Sequence, residues 1–174
     1  MRREDKVIIL GVDPGSRVTG YGIISSNGEE NTFLESGVIQ PANHAALPEK
    51  LREIFEGLLK VIEKHRPRQF AVEETFYSKN AKSALVMGQA RGVAILAASK
   101  SGIPVGEYSP KEVKRAVAGT GNAAKSQVQL MVKKLLTLKD APQPLDASDA
   151  LAVALCHAQR IRRDARMQAK MSKC

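Results

Sequence analysis

Five acidic side chains, in three separate places along the chain, have the types and spacing to act together. Asp13 follows the apolar run Val7-Ile8-Ile9-Leu10, within Gly11-Val12-Asp13-Pro14-Gly15. A carboxylate at the C-terminal end of a central strand lies where α/β sheets place their ligands, and Pro14-Gly15 stops the strand just beyond it. Glu73 and Glu74 close a second short apolar run, Phe70-Ala71-Val72, in the same manner. Asp146 and Asp149 stand three residues apart at a helix start, so both lie on one face of its first turn. Each acid also has an ordinary structural use. Asp13 can cap its own turn, one of the Glu pair can be a solvated charge, and Asp146 can be an N-cap. Capping accounts for one Asp of the last pair better than for two. Residues 140–158 hold 3 acids and no Lys or Arg to neutralise them. Carboxylates drawn together need a cation, and an oxygen-only donor set favours Mg²⁺ or Mn²⁺ over zinc. Two such ions about 3.5–4 Å apart can activate water and stabilise the leaving oxygen in phosphodiester hydrolysis.

The elements that must position these acids read as follows. The continuous apolar run in residues 6–12 suits a strand buried on both faces. A second strand over 18–26 ends at Asn27-Gly28, a hairpin-turn pair, and a third covers 32–40. The opening is thus an antiparallel meander. Leu47, Leu51, Ile54, Phe55, Leu58 and Ile62 then recur at helical spacing until Arg66-Pro67. A short strand over 70–73 precedes a helix over 81–100, capped by Asn80 and followed by Gly102. A strand over 104–108 leads to a helix from Pro110 through 118, and the loop Gly119-Thr120-Gly121-Asn122 leads to another over 124–138. The inner face of that helix is expected to carry Val128, Met131, Val132 and Leu135. A last helix is expected from Asp146 to about Arg162. Helices between later strands, after an antiparallel start, predict a mixed α/β sheet.

Charge adds a partner. The chain has 174 residues and a formal net charge of +9. Residues 1–74 carry 10 basic and 12 acidic groups, whereas residues 75–139 carry 11 basic and 2 acidic groups. A strongly basic middle between acid-leaning segments points to a polyanion. The composition is that of an ordinary globular domain and excludes bulk disorder. No apolar run approaches the roughly 20 residues of a spanning helix, and Met1-Arg2-Arg3-Glu4-Asp5-Lys6 leads into no signal-peptide pattern. Cys156 and Cys174 make no disulfide framework, so a reducing cytoplasm is the expected setting. One nuclease-sized domain over 1–160 and a mobile basic tail over 161–174 are expected.

These residues also resemble a known family, the RuvC-type Holliday-junction resolvases (crossover junction endodeoxyribonucleases). The matching pieces run in order. They are Gly11-Val12-Asp13-Pro14-Gly15 with Thr19-Gly20-Tyr21-Gly22, then Ala71-Val72-Glu73-Glu74-Thr75-Phe76. Lys79-Asn80-Ala81, Ser83-Ala84-Leu85 and Gly88-Gln89-Ala90-Arg91-Gly92 follow. Val113-Lys114, Gly119, Lys125-Ser126-Gln127-Val128-Gln129 and Asp146-Ala147-Ser148-Asp149-Ala150-Leu151-Ala152 complete the set. The stretches around Gly88 and Lys125 are specific, while an Asp-Pro-Gly turn alone is not.

The resemblance implies an RNase H-like fold with a five-stranded mixed sheet flanked by helices. It implies a homodimer that nicks four-way junctions symmetrically in recombination and repair, with two Mg²⁺ ions per subunit, replaceable by Mn²⁺. Asp13, Glu73, Asp146 and Asp149 would be the catalytic and metal-holding carboxylates. Spacing alone leaves Glu73 and Glu74 open; the family pattern selects Glu73, although members usually carry an uncharged polar residue where Glu74 stands. Phe76 matches an aromatic that stacks on a base near the opened junction, and Tyr77 is expected to share that role. Lys114 and Lys125 match lysines near the scissile strand, with Lys79, Lys82 and Arg91 of the same basic stretch as further DNA contacts. The dimer contact would involve Leu85, Met87 and Gly88. A branch-migration complex is the implied protein partner. His157 is read as structural or solvated. Three rivals remain at this point: a small actin/hexokinase-like ATPase, an RNase H-like nuclease for RNA or simpler branches, and a noncatalytic junction binder.

Overall fold

A computed structural model describes residues 6–74 and 80–171. Five strands, β1 (Val7–Asp13), β2 (Thr19–Ser26), β3 (Asn31–Ile39), β4 (Gln69–Glu73) and β5 (Val105–Tyr108), form one sheet in the order β3-β2-β1-β4-β5. β1, β2 and β3 pair antiparallel, while β4 joins β1 and β5 joins β4 in parallel. The expected mixed sheet with an antiparallel opening is therefore present. Its meander turns at Gly28, whose φ of 85° suits glycine, while the Asn27 side chain accepts the Glu29 and Glu30 N–H groups.

Among the described residues, five helices cover the two faces. α1 (Leu47–His65) and α2 (Ala81–Lys100) lie on one side, and α3 (Pro110–Ala118), α4 (Lys125–Leu135) and α5 (Leu145–Met171) on the other. β1 is buried on both faces, as its unbroken apolar run predicts. Ile9 packs with α5, whereas its neighbour Leu10 packs with α1 and α2. α3 starts on a capping box, in which the Glu112 N–H donates to Ser109 Oγ and the Ser109 N–H donates to Glu112 Oε2. It stops at Gly119 in the left-handed region.

Several boundaries differ from the sequence expectations. α4 ends at Leu135, so Leu136 instead of Leu135 fills the core. Asp146 is not an N-cap: α5 begins at Leu145, and the Pro144 carbonyl accepts the Ala147 and Ser148 N–H groups. α5 also continues nine residues past Arg162, straight through the boundary expected at 160. Its last turns carry only a thin apolar stripe, Ile161, Ala165 and Ala169, among six charged residues, so the apolar periodicity there is weak. No described helix is long and apolar enough to cross a membrane.

Candidate active site

Asp13 and Glu73 are brought together by strand register. Val12 stands opposite Val72 in the parallel pairing of β1 and β4, so the next residues end their strands side by side. Alternation places Asp13 and Glu73 on the face shared by Gly11 and Ala71, the face that α5 covers. Glu74, one residue further, alternates away from that face. Its N–H donates to the Tyr108 carbonyl at 2.7 Å, extending the β4–β5 ladder. The loop after Asp13 is clamped by the buried Thr19, whose hydroxyl donates to the Gly15 carbonyl at 2.7 Å.

The helix that brings Asp146 and Asp149 arrives by close backbone contact. A Cβ on Gly20, the residue paired with Asp13, would stand 2.0 Å from the Asp146 carbonyl oxygen. A Cβ on Gly11 would stand 2.2 Å from the Ala150 carbonyl oxygen. Both positions must lack a side chain for the first turns of α5 to rest on the sheet. The glycines match the family motif in the sequence, but their use as a seat for α5 becomes visible only in three dimensions.

The assembled acids disturb one another. Burial is the largest cause that pushes the Asp13 carboxyl up from 3.8 to about 7; repulsion from Glu73, Asp149 and Asp146 adds to it. Glu73 is likewise pushed up to about 7, first by burial and then by Asp149. Lys125 opposes both shifts, and Lys114 opposes that of Glu73. Lys125 Nζ donates to Asp149 Oδ2 at 3.1 Å, an ion pair that raises the lysine's own pKa. A cation in the first turn of α4 stands against the helix dipole, so this pairing offsets a local penalty. The lysine side chain is 73% exposed and free to turn toward solvent or a phosphate.

Two half-buried carboxylates raised by burial and mutual repulsion form a donor set that fits hard divalent ions. Among the described residues, no three His, Cys, Asp or Glu side chains are yet drawn close enough to make a finished metal cluster. The fit therefore rests on the chemistry of the four oxygen donors and on the burial and mutual repulsion that raise Asp13 and Glu73.

The other expected residues fall in different places. Phe76, Tyr77 and Lys79 lie outside the described residues. Lys82 is exposed in the first turn of α2. Arg91, on the same helix, is ion-paired with Glu107 of β5. Leu85 is 70% exposed and Met87 is half-buried. Among the described residues, a Cβ on Gly88 would meet nothing within 4 Å, so packing among them does not explain that glycine. His157 is structural. Its Nδ1 is 2.6 Å from the Tyr108 hydroxyl, its Nε2 is 3.1 Å from Gln69 Oε1, and burial lowers its pKa to about 4. A Nε2–H donating to Gln69 leaves Nδ1 to accept from Tyr108, so the neutral ring ties α5 to β4 and β5.

Sheet order and carboxylates at its edge define an RNase H-like domain of the nuclease kind. A family model described as crossover junction endodeoxyribonuclease RuvC matches residues 9–157. The chain belongs to this RuvC family. A relative of that name from Shewanella amazonensis is 55% identical over 150 residues, covering 86% of each chain. One from Pelotomaculum thermopropionicum is 51% identical over 152 residues, covering 87% of this chain and 93% of its own. The structure of T. thermophilus RuvC in complex with Holliday junction substrate superposes with a TM-score of 0.86 at 37% identity, covering 91% of this chain and 96% of that one. A yeast mitochondrial Holliday junction resolvase shares the fold at 15% identity and a TM-score of 0.65, covering 94% of this chain and 85% of its own.

Proposed function

We propose that this chain is a homodimeric, divalent-metal-dependent endonuclease that resolves four-way DNA junctions by paired symmetric nicks. What supports the reading is the electrostatic coupling of Asp13 to Glu73, Asp146 and Asp149, with Lys114 and Lys125 nearby, in a chain of this family. Mg²⁺, or Mn²⁺ in its place, held as two ions by these four carboxylates, would supply Lewis-acid activation of water and neutralise developing charge on the phosphate. The residues themselves then have distinct tasks. Asp13 and Glu73 hold carboxylates in a half-buried position whose negative charge a divalent cation would relieve. Lys125 releases Asp149 and, with Lys114, holds the phosphate in place. Water adds to phosphorus as the bond to the 3′ oxygen breaks, leaving a 5′-phosphate and a 3′-hydroxyl. The reaction needs no nucleophile from the protein. Phe76 and Tyr77 would stack on bases at the opened crossover, with Lys79, Lys82 and Arg91 as further contacts. A branch-migration complex would deliver the junction in the cytoplasm.

The direct test is cleavage of a synthetic mobile four-way junction with and without Mg²⁺, with products mapped on both opposed strands. Symmetric, metal-dependent nicks are expected; cleavage of single strands or hybrids in preference to junctions would overturn the reading. Lys114→Ala with Lys125→Ala is expected to weaken junction affinity and to lower the slope of log affinity against log salt by about 2, since each phosphate contact accounts for about 0.9. An unchanged slope in anisotropy titrations would count against their role.

Dimerisation is supported by the outer face of α2. Leu85 and Leu96 are 70% and 56% exposed there, and Gly88 and Gly92 have open space beside them. Small residues between apolar ones let a second helix approach closely. Gly88→Arg is expected to leave the monomer's thermal stability within about 1 kcal/mol, as for surface substitutions. Sedimentation should then show a monomer, and the two nicks should become unpaired. A variant still dimeric at micromolar concentration would exclude this face.

A further inference from the structure

The family match ends at residue 157, yet α5 continues for nearly four more turns. This extension leans against the β2–β3 turn and closes an open cleft of about 1090 Å³. Arg160, Arg162, Arg163, Arg166 and Lys170 line it from α5, and Arg115 lines it from α3. Thirteen residues of helix separate Asp149 from Arg162, so the arginine-lined part of the cleft lies about 20 Å along α5 from that carboxylate. That part sits where β2 turns into β3, while the far wall of the cleft reaches Tyr108, the β5 residue paired with Glu73. One phosphate cannot touch both places.

The charges of the cleft do not cancel. Its acids are Glu29, Glu112 and Asp164, against six basic groups. Glu112 is already occupied, accepting the Ser109 N–H and hydroxyl at 2.8 and 2.7 Å. Glu29 is shared by Arg162 and Arg166 at 3.5 and 3.7 Å. Asp164 is shared by Arg160 and Arg163 at 3.8 Å each. Four guanidiniums thus divide two carboxylates at distances longer than a hydrogen bond, a loose arrangement of low energy. Arg162 Nε and Asn31 Oδ1 are buried without hydrogen-bond partners. Matching of the helix dipole explains only Lys170, the sole basic residue of the last turn.

We infer that this cleft, built by Arg115 and the extended end of α5, is a second phosphate-binding site that holds the backbone of a duplex arm away from the crossover. The inference rests on the junction-cleaving reading above. Duplex DNA presents one charge per about 1.7 Å of axis, a density that a row of arginines matches. Arg forks suit phosphate oxygens, and every one of the four α5 arginines is exposed enough to turn outward. The one aromatic ring of the cleft, Tyr108, is buried beneath Arg160, so contact there is by charge and carries no base sequence.

The test compares the full chain with Arg163→Gln/Arg166→Gln/Lys170→Gln, in EDTA to prevent cleavage. Anisotropy is measured with junctions of long and of short arms from 50 to 200 mM salt. For long arms, the variant is expected to bind about tenfold more weakly, with a salt slope lower by about 2–3. Short-armed junctions, which end before the cleft, should bind both proteins alike. Cleavage at saturating junction and Mg²⁺ should proceed at an unchanged rate. Equal affinity and slope on long arms would overturn the inference. So would a loss confined to binding of polyglutamate, which would assign the cleft to an acidic protein segment. A chain that nicked no junction would instead sink the earlier reading, because the arm-length contrast is read without catalysis.

Discussion

Asp13→Asn is expected to abolish junction cleavage, by roughly 10³-fold or more, while junction binding changes by less than about threefold. The size follows from removing a negative group on which transition-state charge stabilisation depends. The amide keeps the shape of the carboxylate but cannot neutralise a divalent ion. Binding is expected to survive because the proposed phosphate contacts are Lys114, Lys125 and the basic surface. The same variant should be the more stable protein. Asp13 is raised from 3.8 to about 7 in the fold, so the folded state binds a proton more tightly than the unfolded chain. Its contribution therefore falls as pH climbs from about 4 to 7, and the full penalty stands above pH 7. Asparagine carries no such penalty. In EDTA, its advantage is expected to grow from near zero at pH 4 to on the order of 1–4 kcal/mol at pH 8. Mg²⁺ should narrow that gap by stabilising the parent. Urea unfolding at pH 5 and pH 8, with and without Mg²⁺, reads both effects. Full cleavage by the variant, or a gap independent of pH, would remove Asp13 from the site.

Gly20→Ala is expected to cut cleavage by about 10²-fold without touching any charged group. The new methyl would stand 2.0 Å from the Asp146 carbonyl oxygen and 2.4 Å from its carbonyl carbon. Those are backbone atoms of a helix, not the end of a flexible side chain, so α5 must move. Overpacking of this kind costs roughly 1–3 kcal/mol. A displacement of about 1 Å at a positioned catalytic group can cost about 10²-fold in rate. The lowered melting temperature should appear with normal junction affinity, since the lysines proposed to hold DNA, Lys114 and Lys125, lie on α3 and α4. Wild-type cleavage by a folded Gly20→Ala protein would show that α5 needs no such close seat.

Much of this design is legible in the residues. The buried run before Asp13, the strand before Glu73 and the acid-rich start of α5 mark three places where carboxylates end elements. The period change after residue 47 and the Asn27-Gly28 turn delimit the meander and first helix. What escaped reading has particular causes. The last turns of α5 carry charge on most faces and mainly small apolar residues on the remaining one, and apolar periodicity is a weak signal for a helix that buries little. Leu135 and Leu136 are adjacent, and only the actual end of α4 decides which one points inward. Gly88 reads as a packing glycine, yet among the described residues nothing lies within 4 Å of a Cβ placed there.

Sequence alone determined the chemistry on offer: oxygen donors without thiols or exposed histidines among them, a basic middle to meet phosphate, and motifs that name the family. Tertiary structure alone decided how those groups act. It turned Glu73 toward the acids and Glu74 away, seated α5 on Gly11 and Gly20, and set Lys125 against Asp149 across 24 residues of sequence. The physical reason is that proton affinity and charge coupling depend on burial and through-space distance, and residues far apart in a chain have no fixed distance until the sheet and helix are packed.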